Sequence, residues 1–208
     1  MSNKYCTFYI VRHGETEWNV KRIMQGHSDS LLTNNGKQQA AMLASELKDI
    51  QFDAIYSSDL LRTQKTAEIL RLERKLVINT TKMLRERYFG HFEGKTFDEF
   101  AQHQKEYIKK YEKATDEEKR KFKYPGTESD EEIISRLILF LREIAVTNVD
   151  KKILVVSHGG VMKALLVHLG FGTYDELATL IIANASYIKL ESDGVDFVIK
   201  ETSGIMQK

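Results

Sequence analysis

Short apolar runs alternate with segments of helical periodicity along this chain. The runs at 8–11, 52–58 and 153–157 have the length and composition of buried strands. Apolar spacing predicts helices at about 33–47, 60–70, 97–111, 129–146 and 161–168. This alternation predicts an α/β fold with a doubly wound, mainly parallel sheet flanked by helices.

Local signals define several boundaries of these elements. Ser129 and Thr173 are each followed by a glutamate three residues later, which is the pattern of a capping box at a helix start. The segment 192–194 reads Ser-Asp-Gly between two strand-like runs, so it predicts a hairpin that adds an antiparallel edge. Residues 201–208 are predicted to be a frayed tail. No domain break, repeat or low-complexity tract interrupts the pattern, which predicts a single domain over 1–208.

Two of the predicted parallel strands are each followed by a His-Gly pair. The first ends in Arg12-His13-Gly14 and the second in His158-Gly159-Gly160. The carboxyl ends of parallel strands line a common crevice, so the two imidazoles are expected to face each other there. A neutral imidazole can attack phosphorus, a guanidinium can hold phosphate oxygens, and glycine lets an anion approach the backbone.

A third segment, 52–67, predicts a strand that runs into a helix with Ser58 or Asp59 as the N-cap. Arg62 then lies in the first helical turn, beside free N–H groups that favour a phosphate dianion. A surface ion pair between Arg62 and Asp59 is the alternative.

A fourth segment, 84–95, is rich in charge and glycine and is predicted to be an irregular loop. Glu86 could act there as the acid that protonates a departing alcohol, provided that a nearby phosphate or partial burial favours its protonated form. Simple ion pairing of Glu86 with Arg85 or Arg87 is the alternative.

Together the four segments resemble the histidine phosphatase superfamily, which is also called phosphoglycerate-mutase-like. The matching motifs are Arg-His-Gly-Glu-Thr-x-x-Asn at 12–19, Ser-Asp-Leu-x-Arg-Thr at 58–63, Glu-Arg-x-x-Gly at 86–90 and Ser-His-Gly-Gly at 157–160. The resemblance implies the phosphoglycerate-mutase-like fold, with a helical lid at about 95–128.

The resemblance also implies roles for individual residues. His13 would be transiently phosphorylated, and Glu86 would be the proton donor. The phosphate pocket would be completed by Arg12, Arg62 and His158, with contributions to phosphate or substrate binding from Asn19, Gln25, Gly26 and Gly159.

Hydrolysis and transfer to a second hydroxyl compete once a phosphohistidine forms. Mutases of this family carry a longer insertion between the glutamate motif and a Gly-x-Glu-Ser element, here 126–129, and a C-terminal tail that helps to close the site. The moderate segment in this chain favours a phosphatase acting on a sugar phosphate or bisphosphate, a phosphoglycerate or phosphoserine, in a glycolysis-related role. A cofactor-dependent phosphoglycerate mutase and a noncatalytic phosphate-binding regulatory protein are the alternatives.

Composition narrows the class of protein further. The 208 residues, 42% of them hydrophobic, suffice for one compact domain, and a net charge of +1 gives no general attraction to nucleic acid or acidic membranes. The sole cysteine, Cys6, excludes an internal disulfide. The N-terminal residues do not resemble a signal peptide, so we expect a cytoplasmic protein.

We expect no metal and no cofactor, because the six histidines are scattered and lack the spacing of a zinc site. The expected partner is a small-molecule phosphate ester, and the chain is expected to be a monomer or homodimer. Mixed charges at 105–123 predict a solvated helical face. The alternative is a lid in which a cation binds a second anionic group of the substrate, the candidates being Lys119, Arg120, Lys121 and Lys123.

Overall fold

A computed structural model describes residues 5–207, in which six strands form one sheet. Along the chain the strands are β1 Cys6–Arg12, β2 Ala54–Ser58, β3 Ile78–Thr81, β4 Lys152–Ser157, β5 Leu180–Ser192 and β6 Phe197–Gln207. Their order across the sheet is β3-β2-β4-β1-β5-β6. The first four are mutually parallel, whereas β5 pairs antiparallel with both β1 and β6. The predicted α/β fold, mainly parallel with an antiparallel edge, is confirmed.

Helices cover both faces of this sheet. Their bounds are α1 Glu17–Val20, α2 Asn34–Glu46, α3 Leu61–Arg71, α4 Phe97–His103, α5 Lys105–Glu112, α6 Asp116–Lys121, α7 Asp130–Thr147, α8 Gly159–His168 and α9 Tyr174–Ala178. In β1, Phe8 and Ile10 pack into the apolar core under α7 and α8, while Tyr9 and Val11 pack into the core under α2 and α3. Because successive side chains of a strand point to opposite faces, a strand buried on both sides reads as a continuous apolar run.

The two predicted capping boxes begin helices as expected. Ser129 accepts a hydrogen bond from the Glu132 N–H and donates its own N–H to the Glu132 carboxylate, so α7 begins at Asp130. Thr173 and Glu176 do the same before α9. Each pair satisfies N–H groups that the helix itself leaves free.

Some predicted boundaries were wrong. The helix expected at 97–111 is divided at Gln104 into α4 and α5. The N-cap of α3 is Leu60, without a side-chain cap, rather than Ser58 or Asp59. The Asp59 carboxylate instead receives two hydrogen bonds from the Arg85 guanidinium, at 2.6 and 2.7 Å, which direct it away from the helix.

The C-terminal tail was also predicted wrongly. Residues 201–207 belong to β6, and Ser203 pairs with Tyr187 of β5. Polar composition suggested fraying, but the long β5 supplies a pairing edge that satisfies this backbone. Lys208 lies outside the described residues, as do residues 1–4, on which the expectation of no signal peptide rests. None of the helices within 5–207 has the length and apolar composition needed to cross a membrane.

Candidate active site

His13 and His158 meet at the carboxyl ends of two adjacent parallel strands. The pairing of β1 with β4 sets Arg12 beside Ser157, and the His13 N–H donates to the Ser157 carbonyl at 3.1 Å. The two imidazole centroids are 5.3 Å apart, with the rings inclined at 65°. Only 3% of His13 is exposed, and His158 is fully buried. The register of the sheet thus juxtaposes two imidazoles that are 145 positions apart in the sequence.

The hydrogen bonding of His13 fixes which of its nitrogens can attack. Its Nδ1 lies 2.8 Å from the Gly14 carbonyl oxygen, which can only accept, so Nδ1 carries the proton. Burial, together with the charges of Arg62 and Arg12, holds the pKa of His13 well below its usual value. The ring is therefore neutral near pH 7, with a lone pair on Nε2.

His158 is a buried imidazole whose polar atoms lack partners. Neither ring nitrogen has a hydrogen-bond partner among the described residues. Burial, followed by the charge of Arg62, lowers the pKa of His158 well below its usual value. Leaving a buried polar group unsatisfied costs about 1–3 kcal/mol, which a bound oxyanion could offset by pairing with the ring.

Two arginines supply positive charge beside these rings. The Arg12 Nη1 donates to the Ile182 carbonyl, and its buried Nε has no partner within 5–207. The Arg62 Nη1 donates to Asp29 Oδ1 at 2.8 Å and its Nη2 to the Gly26 carbonyl at 2.7 Å, while its Nε is likewise unpaired. Both guanidiniums are anchored by protein acceptors, which holds them in place before any ligand binds.

The start of α3 differs from its expected role in phosphate binding. The Leu61 N–H donates to Asp29 Oδ2 at 2.6 Å, and the Arg62 N–H lies 3.4 Å from Oδ1. The carboxylate of Asp29 therefore occupies the position that was expected for phosphate. Asp29, and not Asp59, is also the ionic partner of Arg62.

Glu86 is held by backbone donors at the beginning of α8. Its Oε2 accepts from the Gly160 N–H at 3.0 Å, and its Oε1 accepts from the Arg87 N–H at 2.8 Å. A Cβ on Gly160 would lie 2.4 Å from Oε1, so only glycine permits this approach. The alternative ion pairs with Arg85 and Arg87 do not form, because both guanidiniums pair with aspartates.

The glycines after the two histidines have different roles. A Cβ on Gly14 would lie 2.4 Å from the Gly36 carbonyl, so Gly14 permits the close packing of α2 rather than the approach of an anion. A Cβ on Gly159 would lie 3.0 Å from Arg12 Nε, which places this glycine against the guanidinium.

The remaining predicted residues line the same cavity, each anchored locally. The Asn19 Oδ1 accepts from the Thr16 N–H at 3.1 Å, and the Asn19 Nδ2 makes no hydrogen bond to any residue in 5–207. The Gln25 Nε2 donates to Thr16 Oγ1 at 2.9 Å. Gly26, at φ +55°, directs its carbonyl to Arg62.

The cavity has a volume of about 300 Å³, and the fully buried His158 does not line it. The predicted site residues that line it are Arg12, His13, Asn19, Gln25, Gly26, Arg62, Glu86 and Gly159. Phe89 and Gly160 also line it, as do five residues that sequence reasoning missed: Ile23, Phe97, Lys163, Leu180 and Ile182. Phe92, from the predicted loop at 84–95, is 1% exposed and does not line the cavity. Only Lys163 carried a usable signal, a charge within the apolar run 161–168.

The candidate lid cations do not line this cavity. All four pair with carboxylates: Lys119 with Asp175, Arg120 with Glu131, Lys121 with Glu117 and Lys123 with Glu132. Lys119 is buried and borders two adjoining cavities, whereas the other three cations are exposed. Among residues 5–207, no group of three His, Cys, Asp or Glu side chains has a metal-binding arrangement.

The chain is similar to several known proteins. Residues 8–203 match the family model of the histidine phosphatase superfamily (branch 1). Phosphoglycerate mutase-like protein 4 of Arabidopsis thaliana is 36% identical over 164 residues, which are 77% of this chain and 70% of that protein. The uncharacterized phosphatase PhoE of Bacillus subtilis is 32% identical over 182 residues, covering 88% of this chain and 86% of its own.

Three-dimensional similarity is equally extensive. The solved structure of Bacillus stearothermophilus YhfR superposes with a TM-score of 0.83 at 32% identity, covering 93% of this chain and 95% of that one. The chain therefore belongs to the histidine phosphatase superfamily.

Proposed function

We propose that this protein is a metal-independent phosphatase that hydrolyses a small phosphorylated metabolite through a phosphohistidine on His13. The observation that carries the proposal is the pair of neutral imidazoles, 5.3 Å apart between their centroids, beside Arg12 and Arg62. Phosphoryl transfer requires in-line positioning and neutralisation of charge more than covalent assistance. This arrangement is suited to supply both.

In the first step, the Nε2 lone pair of His13 attacks phosphorus and the bond from phosphorus to the ester oxygen breaks. The phosphate dianion lies between Arg12 and Arg62, and His158 donates a hydrogen bond to one of its oxygens. The leaving oxygen takes a proton from the Glu86 carboxyl, which gives the free alcohol and a phosphohistidine.

In the second step, water attacks the phosphohistidine and transfers its proton to the Glu86 carboxylate. The bond from phosphorus to Nε2 breaks, which releases phosphate and restores His13 and Glu86. Asn19, Gln25, Gly26 and Gly159 border the position of the phosphoryl group. Residues 95–128 act as a helical lid over the substrate, and 1–208 form one histidine phosphatase domain.

A cofactor-dependent phosphoglycerate mutase is the second candidate. The mutase-like name of the Arabidopsis relative favours it, and the phosphatase name of the Bacillus subtilis relative favours hydrolysis. The two reactions share the phosphohistidine and differ in whether water or a second hydroxyl receives the phosphoryl group.

The test is to incubate the protein, with a chelator present, against phosphoserine, phosphoglycerates, fructose 2,6-bisphosphate and aryl phosphates. A phosphatase releases inorganic phosphate, whereas a mutase interconverts the phosphoglycerates. Acid-labile phosphoprotein should be trapped in the parent but not in His13→Ala, which should also lose turnover. Activity that survives in His13→Ala, or that vanishes with the chelator and returns with a metal, would overturn the proposal.

A further inference from the structure

Lys163 lies at the junction between the phosphate pocket and the space beneath the predicted lid. It is in α8, one helical turn after Gly160, whose N–H holds Glu86. Its half-buried side chain borders the cavity that contains His13 and also two adjoining cavities. A substrate that extends beyond its phosphoryl group therefore meets Lys163.

The donors of Lys163 are largely unused. Across residues 5–207, its Nζ makes one long hydrogen bond, 3.4 Å to the Ala178 carbonyl, and no ion pair. Two neighbouring cations that border the same cavities are already paired, Arg87 with Asp130 and Lys119 with Asp175. An ammonium group has three donors, so at least two remain for a ligand.

The cations that line the cavity differ in their partners. Its charged lining consists of Arg12, Arg62 and Lys163, with Glu86 as the one acid. Arg62 is already paired with Asp29, and Arg12 directly precedes His13. Lys163 has no carboxylate partner within 5–207 and also borders the two adjoining cavities, so it is the lining cation placed to meet a second anionic group.

Burial lowers the pKa of Lys163, and the charge of Asp130 opposes that effect. An ammonium group that has already lost part of its hydration gains more from a bound anion than an exposed one does. The remaining walls, which include Phe89 and Phe97, present apolar surface suited to a short carbon skeleton.

We propose that Lys163 determines specificity by binding a second anionic group, a carboxylate or a second phosphate, of the phosphate ester. The proposal rests on the proposed function and names its substrate class. A matched pair of esters tests it, because 3-phosphoglycerate carries a carboxylate where glycerol 3-phosphate carries a hydroxymethyl group. Fructose 1,6-bisphosphate and fructose 6-phosphate form the corresponding pair for a second phosphate.

The measurement is the ratio of kcat/KM within each pair, for the parent, Lys163→Met and Lys163→Arg. Lys163→Met should lower at least one ratio about 10- to 100-fold, mainly through KM, because a charged hydrogen bond is lost. Lys163→Arg should restore much of that preference. The control is Lys121→Met, which removes an exposed lid cation paired with Glu117. The pair whose ratio falls identifies the anionic group.

Ratios that stay within about threefold of the parent in Lys163→Met would overturn the proposal. If the parent hydrolysed none of these four esters, the proposed function would still be decided separately, by the wider set of phosphate esters and the His13→Ala control. Calorimetric Kd values for 3-phosphoglycerate and glycerol 3-phosphate, or for the fructose pair, would then decide the role of Lys163. A loss of preference of the same size in Kd would support it, and equal changes for both members of each pair would refute it.

Discussion

Arg62 is almost completely removed from water, with 1% of its side chain exposed. Its guanidinium donates to the carbonyls of Gly26 and Ser28 and to the carboxylate of Asp29. The same group lines the cavity, and its Nε has no hydrogen-bond partner in the described part of the chain, 5–207. Arg62 therefore both fixes the loop at 25–30 and supplies charge to the site.

We expect Arg62→Ala to lower kcat/KM about 100-fold or more, because a preorganised donor to the phosphoryl group is lost. The free energy of unfolding should also fall, by about 1–3 kcal/mol, since acceptors in the loop lose their donor. Steady-state kinetics and urea unfolding measure the two effects. Lys65→Ala, on an exposed position of the same helix, is the matched control.

Asp29→Asn separates these two contributions. It weakens the anchoring of the loop but leaves the guanidinium in place, so its loss of rate should be much smaller than that of Arg62→Ala. A rate for Arg62→Ala within threefold of the parent, or an equal loss in Asp29→Asn, would contradict a direct role for the charge.

At the residue scale, the sequence indicated the candidates whose motifs are local. The Arg-His-Gly and Ser-His-Gly-Gly motifs predicted His13 and His158 as site residues, because each motif follows a recognisable strand. The residue that anchors the backbone at His13 was missed: the Asn184 Nδ2 donates to the His13 carbonyl at 3.0 Å. It lies 171 positions away, where no spacing rule connects the two.

At the element scale, the beginning of α8 holds the proposed acid. The Gly160 N–H donates to Glu86, and the lack of a side chain on Gly160 leaves space for this carboxyl group. Replacing Gly160 by alanine, which adds one methyl group, therefore tests the contact.

We expect Gly160→Ala to displace Glu86 and to slow hydrolysis of alkyl phosphates about 100-fold, since proton donation contributes roughly 10²–10⁴. Hydrolysis of 4-nitrophenyl phosphate, whose leaving group needs little protonation, should fall much less. The kcat ratio of the two substrates is the readout. Gly172→Ala is the control, because its Cβ would meet only side-chain atoms at 3.3 Å or more.

Equal losses on both substrates would contradict this prediction and would indicate a general disturbance of the site.

Capping boxes made the starts of α7 and α9 predictable, and apolar spacing predicted α3 and α8, which have no side-chain cap. The division at Gln104 and the strand at 201–207 were not predictable, since tertiary packing in the first case and pairing with β5 in the second decide the local conformation.

At the scale of the whole molecule, the strand order brings together what the chain separates. Pairing of β1 with β4 joins the two histidine motifs, and the antiparallel β5 brings Ile182 to Arg12. The apolar runs of the sequence predicted the parallel strands, but no local pattern predicted the order of the strands in the sheet. This arrangement buries two imidazoles in their neutral form.

This burial makes the stability of the fold dependent on pH. The pKa values of His13 and His158 are both lowered in the folded protein, chiefly by desolvation. Below about pH 6.5 the unfolded chain binds protons that the folded one does not, so the free energy of unfolding falls as the pH falls. Each histidine should contribute a loss of about 1 kcal/mol between pH 7.5 and 5.5.

Single His13→Asn and His158→Asn variants should each reduce this loss by about that amount, as urea unfolding at the two pH values would measure. His103→Asn, at an exposed position, is the control.

Carboxylates with lowered pKa values, such as Asp59 and Glu132, lose their stabilisation only at lower pH, since their ordinary pKa values are 3.8 and 4.5. His27 and His168 also have lowered pKa values and contribute with the same sign, so the differences between variants isolate the central pair. If both variants kept the full pH dependence of the parent, the two imidazoles would not be the neutral, buried pair on which the proposed chemistry depends.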